Sequence, residues 1–153
     1  MNRCDNRGHA HDFYAWANEQ AALLRAGKLA AADIENIAEE IESMGRTEKR
    51  ELVSRLTILL LHLLKWQFQP THRGHSWRMS IANARDDITD HLADNPSLHS
   101  HLVNAISSAY RRARRQASAE TGHPENLFPD ICPWSFEQMI DHDFWPGSEI
   151  LKE

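Results

Sequence analysis

The amino-acid sequence predicts an all-α protein, a single-domain bundle of about five helices with an aromatic and proline-rich C-terminal strap. Apolar residues recur at helical spacing through most of residues 12–121, and no run alternates apolar with polar as a half-buried strand does. Glycines and prolines fall between these helical patterns and divide them.

The chain's 153 residues make one domain of ordinary size, able to bury about two-thirds of the surface its unfolded form exposes. A formal charge of −5 without any long single-sign run leaves no overall basic footprint for a phosphate backbone, so nucleic acid is not an expected partner. Cys4 and Cys132 lie near opposite ends without C-x-x-C spacing, which fits a reducing compartment and supplies no zinc-site arithmetic. Residues 1–11 are polar, lack the apolar core of a secretory signal, and read as a flexible arm ahead of one helical domain over residues 12–153. The most apolar stretch, residues 58–64, is broken by His62 and flanked by Arg55 and Lys65. It is far short of the roughly 20 apolar residues a membrane-spanning helix needs, so no membrane is expected and a cytoplasmic location follows.

The first helix is predicted over residues 12–25, with Asp12 as its cap and Phe13, Trp16, Ala17, Leu23 and Leu24 on one stripe, and Gly27 ends it. Asp33 opens a second helix whose Ile34, Ile37, Ala38, Ile41 and Met44 repeat at amphipathic spacing until Gly45 interrupts. Over residues 47–68 the pattern loses its polar side, as expected of a central helix. Residues 70–75 form a loop, and Ser76 can cap a fourth helix carrying Trp77, Ile81, Ala84, Ile88 and Leu92. Asn95 followed by Pro96 reads as cap and first helical position of a fifth helix, alanine-rich, stopping at Gly122. Residues 122–153 combine Pro124, Pro129, Pro133 and Pro146 with five aromatics, and form the mostly irregular strap. Within it Ser135 and Gln138 stand at capping-box spacing for one short helix.

These elements carry a resemblance. Asp12, Trp16 and Gln20, then Asp33-Ile34-Glu35-Asn36-Ile37-Ala38-Glu39-Glu40-Ile41-Glu42-Ser43-Met44-Gly45, then Leu61-His62-Leu63-Leu64-Lys65-Trp66 occur in the order found in the bacterial family called domain of unknown function twenty-nine. Ser76-Trp77, the helix around Arg85, Pro96-Ser97-Leu98, Phe128-Pro129, Cys132-Pro133, Asp143-Phe144 and Pro146 continue the agreement, so the chain resembles that family from residue 12 to about 146. The resemblance implies an all-helical bacterial domain and carries over no reaction, cofactor or catalytic residue.

Four polar residues lie on or beside apolar stripes. Gln20 falls within the stripe of the first helix, Glu40 borders that of the second, His62 sits among leucines, and Arg85 lies within about 50° of the line of Ile81, Ile88 and Leu92. Because a buried charge needs a partner, the economical expectation is one hydrogen-bonded network of Gln20, Glu40, His62 and Arg85, either fixing helix register or lining a binding pocket. A metal-dependent alternative draws on Asp33, Glu39, Glu40, His62, Asp87 and Asp90, where Glu39-Glu40 and the Asp87/Asp90 pair loosely resemble the acidic pairs of all-helical nucleotide pyrophosphohydrolases. No Glu-x-x-His or His-Glu-x-x-His pattern accompanies them.

His72, Arg73 and His75 share one loop, and Arg111, Arg112, Arg114 and Arg115 form the one basic run, the latter read as a solvated helix face. No nucleophile elbow and no glycine-rich phosphate loop occurs. The sequence therefore points to a cytoplasmic, non-enzymatic interaction or accessory domain that needs no cofactor and whose partner is another protein or a second copy. The alternative is a divalent-metal-dependent hydrolase of a nucleotide or phosphoester.

Overall fold

A computed structural model describes residues 12–147. They form five α-helices and no strand: α1 (Phe13–Arg25), α2 (Ile34–Phe68), α3 (His75–Asp94), α4 (Leu102–Thr121) and α5 (Phe136–Ile140). Pro70–His72, Pro96–His101 and Glu125–Leu127 are short 3₁₀ turns. The all-α class is as expected. The described residues fall into two compact units, one ending at Thr47 and the other beginning at Glu48. The expected arm, residues 1–11, and the last residues of the strap, 148–153, lie outside the described residues.

In the first unit Asp12 caps α1 as expected, its carboxylate accepting the backbone N–H of Ala15 at 2.9 Å. The helix closes in a Schellman arrangement, with Lys28 N–H on Leu23 O at 2.9 Å and Gly27 N–H on Leu24 O at 3.1 Å. Gly27 takes φ +71° there, a left-handed conformation that a side chain would oppose. The apolar stripe that opens α2 stays largely on the surface, Ile41 being 63% and Met44 69% exposed.

α2 corrects one expectation: it runs unbroken through Gly45 for 35 residues. Glycine weakens a helix interior by only about 1 kcal/mol and ends a helix only where the next residues favour leaving it. Here they do not. Around Gly45, Arg46 pairs with Glu42 at 3.9 Å and the Thr47 hydroxyl donates to Ser43 O at 3.0 Å, both within the continuing helix.

In the second unit the later part of α2 is buried nearly all round, through Leu52, Leu56, Leu59, Leu60, Leu63 and Leu64. α3 runs back beside it, since His91 Nε2 lies 2.9 Å from Glu48 O and Arg55 donates to Asp87 O at 3.0 Å. α4 runs alongside α2 in the same direction, with Lys65 meeting Glu120 at 3.0 Å near their C-terminal ends. Ala105, Ala109, Ala113 and Ala117 repeat every fourth residue and are all buried, so the small residues of α4 mark its inner face.

Two helix starts differ from expectation. Gly74, not Ser76, is the N-cap of α3. Asn95 closes α3, its side chain donating back to His91 O at 3.1 Å, and Pro96 opens a 3₁₀ turn, so α4 begins only at Leu102. A proline after an asparagine suits either helical winding, and the local pattern does not distinguish them. Gly122, at φ +78°, stops α4 as expected.

The strap is present and lies across α3 and α4. Phe128 is buried and meets Phe68 edge-on at 5.0 Å, Tyr110 donates to Pro129 O at 2.6 Å, and Trp145 packs against Trp66 at 4.6 Å. Its one helix, α5, begins with the anticipated capping box of Ser135 and Gln138.

Candidate functional site

Three of the four interior candidates, Gln20, His62 and Arg85, show where their polar atoms go. Arg85 is 1% exposed, on the inner face of α3. Its Nε donates to Met139 O at 2.7 Å, its Nη2 donates to Phe144 O at 2.8 Å, and its guanidinium lies over the Trp145 ring at 5.4 Å. Burial pushes its pKa down from the arginine value, partly offset by the charge of Asp141. Arg85 thus finds two hydrogen-bond acceptors in carbonyls of the strap. A carbonyl dipole satisfies a guanidinium without bringing in a second charge to desolvate.

His62 is half-buried, and its Nδ1 lies 2.8 Å from Ile58 O on its own helix. In the first unit Gln20 is buried, and its Oε1 accepts the Asp33 N–H at 2.7 Å, tying α1 to the start of α2. Glu40 belongs to that unit and is half-buried. The hydrogen bonds of Gln20, His62 and Arg85 therefore run to backbone atoms within their own units. One buried polar residue escaped the periodicity argument. His91, 6% exposed, bonds Glu48 O and stands 3.6 Å from the Glu48 carboxylate. Its signal was its place beside Leu92 and three residues after Ile88 on the same stripe.

Among the described residues no group of three His, Cys, Asp or Glu side chains is gathered to hold a metal. Of the metal-ligand candidates, Asp33 accepts the Asn36 amide on each carboxylate oxygen at 3.0 Å. Glu39 is half-buried, Asp87 and Asp90 are exposed, and Asp87 accepts a bond from Arg55 through its main-chain carbonyl. Cys132 has its thiol pKa raised by burial, the reverse of what a nucleophile requires, and Cys4 lies outside the described residues.

The basic run on α4 divides by what it meets. Arg114 is bound to the strap, with Asp130 at 3.0 Å, Glu125 at 3.8 Å and Phe128 O at 3.3 Å. That side of α4 borders a groove of about 560 Å³ lined by Tyr110, Arg111, Ile131 and Trp134. Burial, reinforced by Cys132 and Asp130 against the opposing pull of Arg114, pushes the Tyr110 phenol up to about 12.

On its other side α4 forms, with α2, a second groove of about 250 Å³. Lys49 and Arg50 come from α2, Arg112 and His101 from α4 and the turn before it, and Asn104 and Ser108 add neutral polar groups. Leu52, Val53 and Ala105 are the apolar residues of its lining. Periodicity missed this site, because Lys49-Arg50 and Arg112 are far apart in sequence and each reads as solvated alone.

Among the described residues the scaffold is helical throughout, which defines an all-helical class of protein. Within that class the chain belongs to the family described as domain of unknown function DUF29, whose model matches residues 9–145. No curated protein and no solved structure matches the chain. Among the described residues no helix is long and apolar enough to cross a membrane.

Proposed function

We propose that the chain is a non-enzymatic interaction domain of the bacterial cytoplasm, which binds a partner rather than transforming it and requires no cofactor. The observation that carries this reading is the use made of Arg85. The most deeply buried charge has donors from Nε and Nη2 engaged by strap carbonyls, so it holds the fold together instead of facing a substrate. Gln20 and His91 also bond main-chain atoms. What remains for recognition lies outside, in the two grooves beside α4 and in the exposed apolar residues Ile34, Ile41 and Met44, which suit a protein partner or a second copy. The metal-dependent hydrolase reading lacks a gathered donor set among the described residues.

Protein purified without chelator and offered a nucleotide panel with magnesium or manganese decides between the two. The expected result is no stoichiometric metal and no phosphate release above a buffer control. Turnover that depends on bound metal and is abolished by Asp87→Asn or Glu39→Gln overturns the proposal.

A further inference from the structure

We infer that the groove between α2 and α4 binds a small phosphorylated molecule, an assignment that rests on the domain being a binder rather than a catalyst. The argument begins with charge. Lys49, Arg50 and Arg112 line one groove, and none of them is paired with a described acid. The acids next to them in sequence are turned to other partners. Glu48 faces His91 at 3.6 Å, and Glu51 is held by Arg55 at 2.8 Å. Asp130 and Glu125, which could balance the cations of α4, are taken by Arg114. In a chain of net charge −5, three positive charges thus share one concavity without a counter-charge among the described residues. Like charges held together raise one another's energy until an anion enters, and concave walls focus their field.

The chemistry of the lining selects the anion. Two guanidiniums offer planar forks that match phosphate oxygens in pairs, and an ammonium adds a compact point charge. Asn104 and Ser108 supply neutral hydrogen-bonding groups beside them, and His101 adds a further positive charge when protonated. Leu52, Val53 and Ala105 give an apolar surface on which the uncharged body of a ligand can rest. The size argues for a small molecule. A volume near 250 Å³ takes a phosphate group with part of its organic body, whereas a polynucleotide needs a longer cationic track, and of the neighbouring arginines Arg111 lines the opposite groove and Arg114 is engaged by acids of the strap.

Isothermal titration of the full chain at low salt, with adenosine diphosphate, inorganic pyrophosphate, citrate and a short single-stranded RNA as probes, tests the assignment. Saturable binding of adenosine diphosphate or pyrophosphate is expected, weakening as salt rises. Arg50→Gln and Arg112→Gln should each weaken it about tenfold or more, while Arg111→Gln, on the opposite groove, leaves it unchanged. Circular dichroism of the variants guards against unfolding, and both substituted arginines are exposed, so folded variants are expected. The inference is overturned if neither phosphorylated probe binds, if Arg111→Gln weakens binding as much as the groove variants, or if citrate or the RNA binds more tightly than both. Phosphorus NMR on the same samples keeps the two readings apart. Phosphate released from a bound nucleotide refutes the non-enzymatic reading while leaving the groove assignment intact, and failure of the unsubstituted chain to bind either phosphorylated probe, without release, refutes the groove alone.

Discussion

Replacing Arg85 with methionine should detach the strap from α3 and cost about 3 kcal/mol of stability. The figure follows from the bonds that Arg85 makes. Two charge-assisted hydrogen bonds, to Met139 O at 2.7 Å and Phe144 O at 2.8 Å, are lost together. Each is worth about 1.5–3 kcal/mol, and the two carbonyls are left without their donor. Against this, methionine no longer has to bury a positive charge, and its flexible chain keeps much of the stem packing, which brings the net below the simple sum. Arg85→Lys sharpens the test, because an ammonium retains the charge but lacks the fork that spans two acceptors, so it should recover less than half the loss. Urea denaturation followed by tryptophan fluorescence and circular dichroism gives the stability. Hydrogen exchange at the amides of residues 139–145 reports the strap directly, and their protection should fall in step with the global loss. A destabilisation below about 1 kcal/mol with unchanged strap protection would refute the reasoning, since the carbonyl bonds would then not hold the segment.

Gly45→Ala should stabilise the chain by about 0.5–1 kcal/mol, because α2 is helical there and a Cβ at this position meets nothing within 4 Å. A lower melting temperature would instead favour a break at Gly45. Tyr110 should contribute a pH-dependent stability: its phenol is raised from 10.0 to about 12 in the folded protein, so folding favours the protonated form. That contribution is fully present below pH 10 and is lost as pH rises from 10 toward 12. In a Tyr14→Phe background, absorbance titration should place the remaining phenolate near 12, and Tyr110→Phe should remove this part of the alkaline decline while costing about 1 kcal/mol at neutral pH through the lost bond to Pro129 O. A Tyr110 transition at the ordinary phenol value would show that it is not buried as described.

Local signals were legible where they act within a few residues. Asp12, Gly27, Gly122 and the Ser135 capping box each do in the structure what their spacing announces, because a cap is satisfied by the next turn of the same helix. Gly45 and Ser76 misled for the same reason in reverse. A glycine or serine is compatible with a helix end, but whether the helix ends is decided by what its neighbours gain from continuing. The burial of Arg85 was legible from its angle to Ile81, Ile88 and Leu92, whereas its partners were not, because main-chain carbonyls leave no trace in side-chain identity.

The all-α class, the apolar later part of α2, the alanine face of α4 and the aromatic strap were thus determined by the sequence itself, since periodicity records which side of each helix avoids water. Only the tertiary structure decided that Lys49 and Arg50 share a groove with Arg112, and that the nearby acids turn to His91, Arg55 and the strap side of α4 instead. Charges act on one another through space, and residues more than sixty positions apart come to line one groove only when α2 and α4 lie side by side.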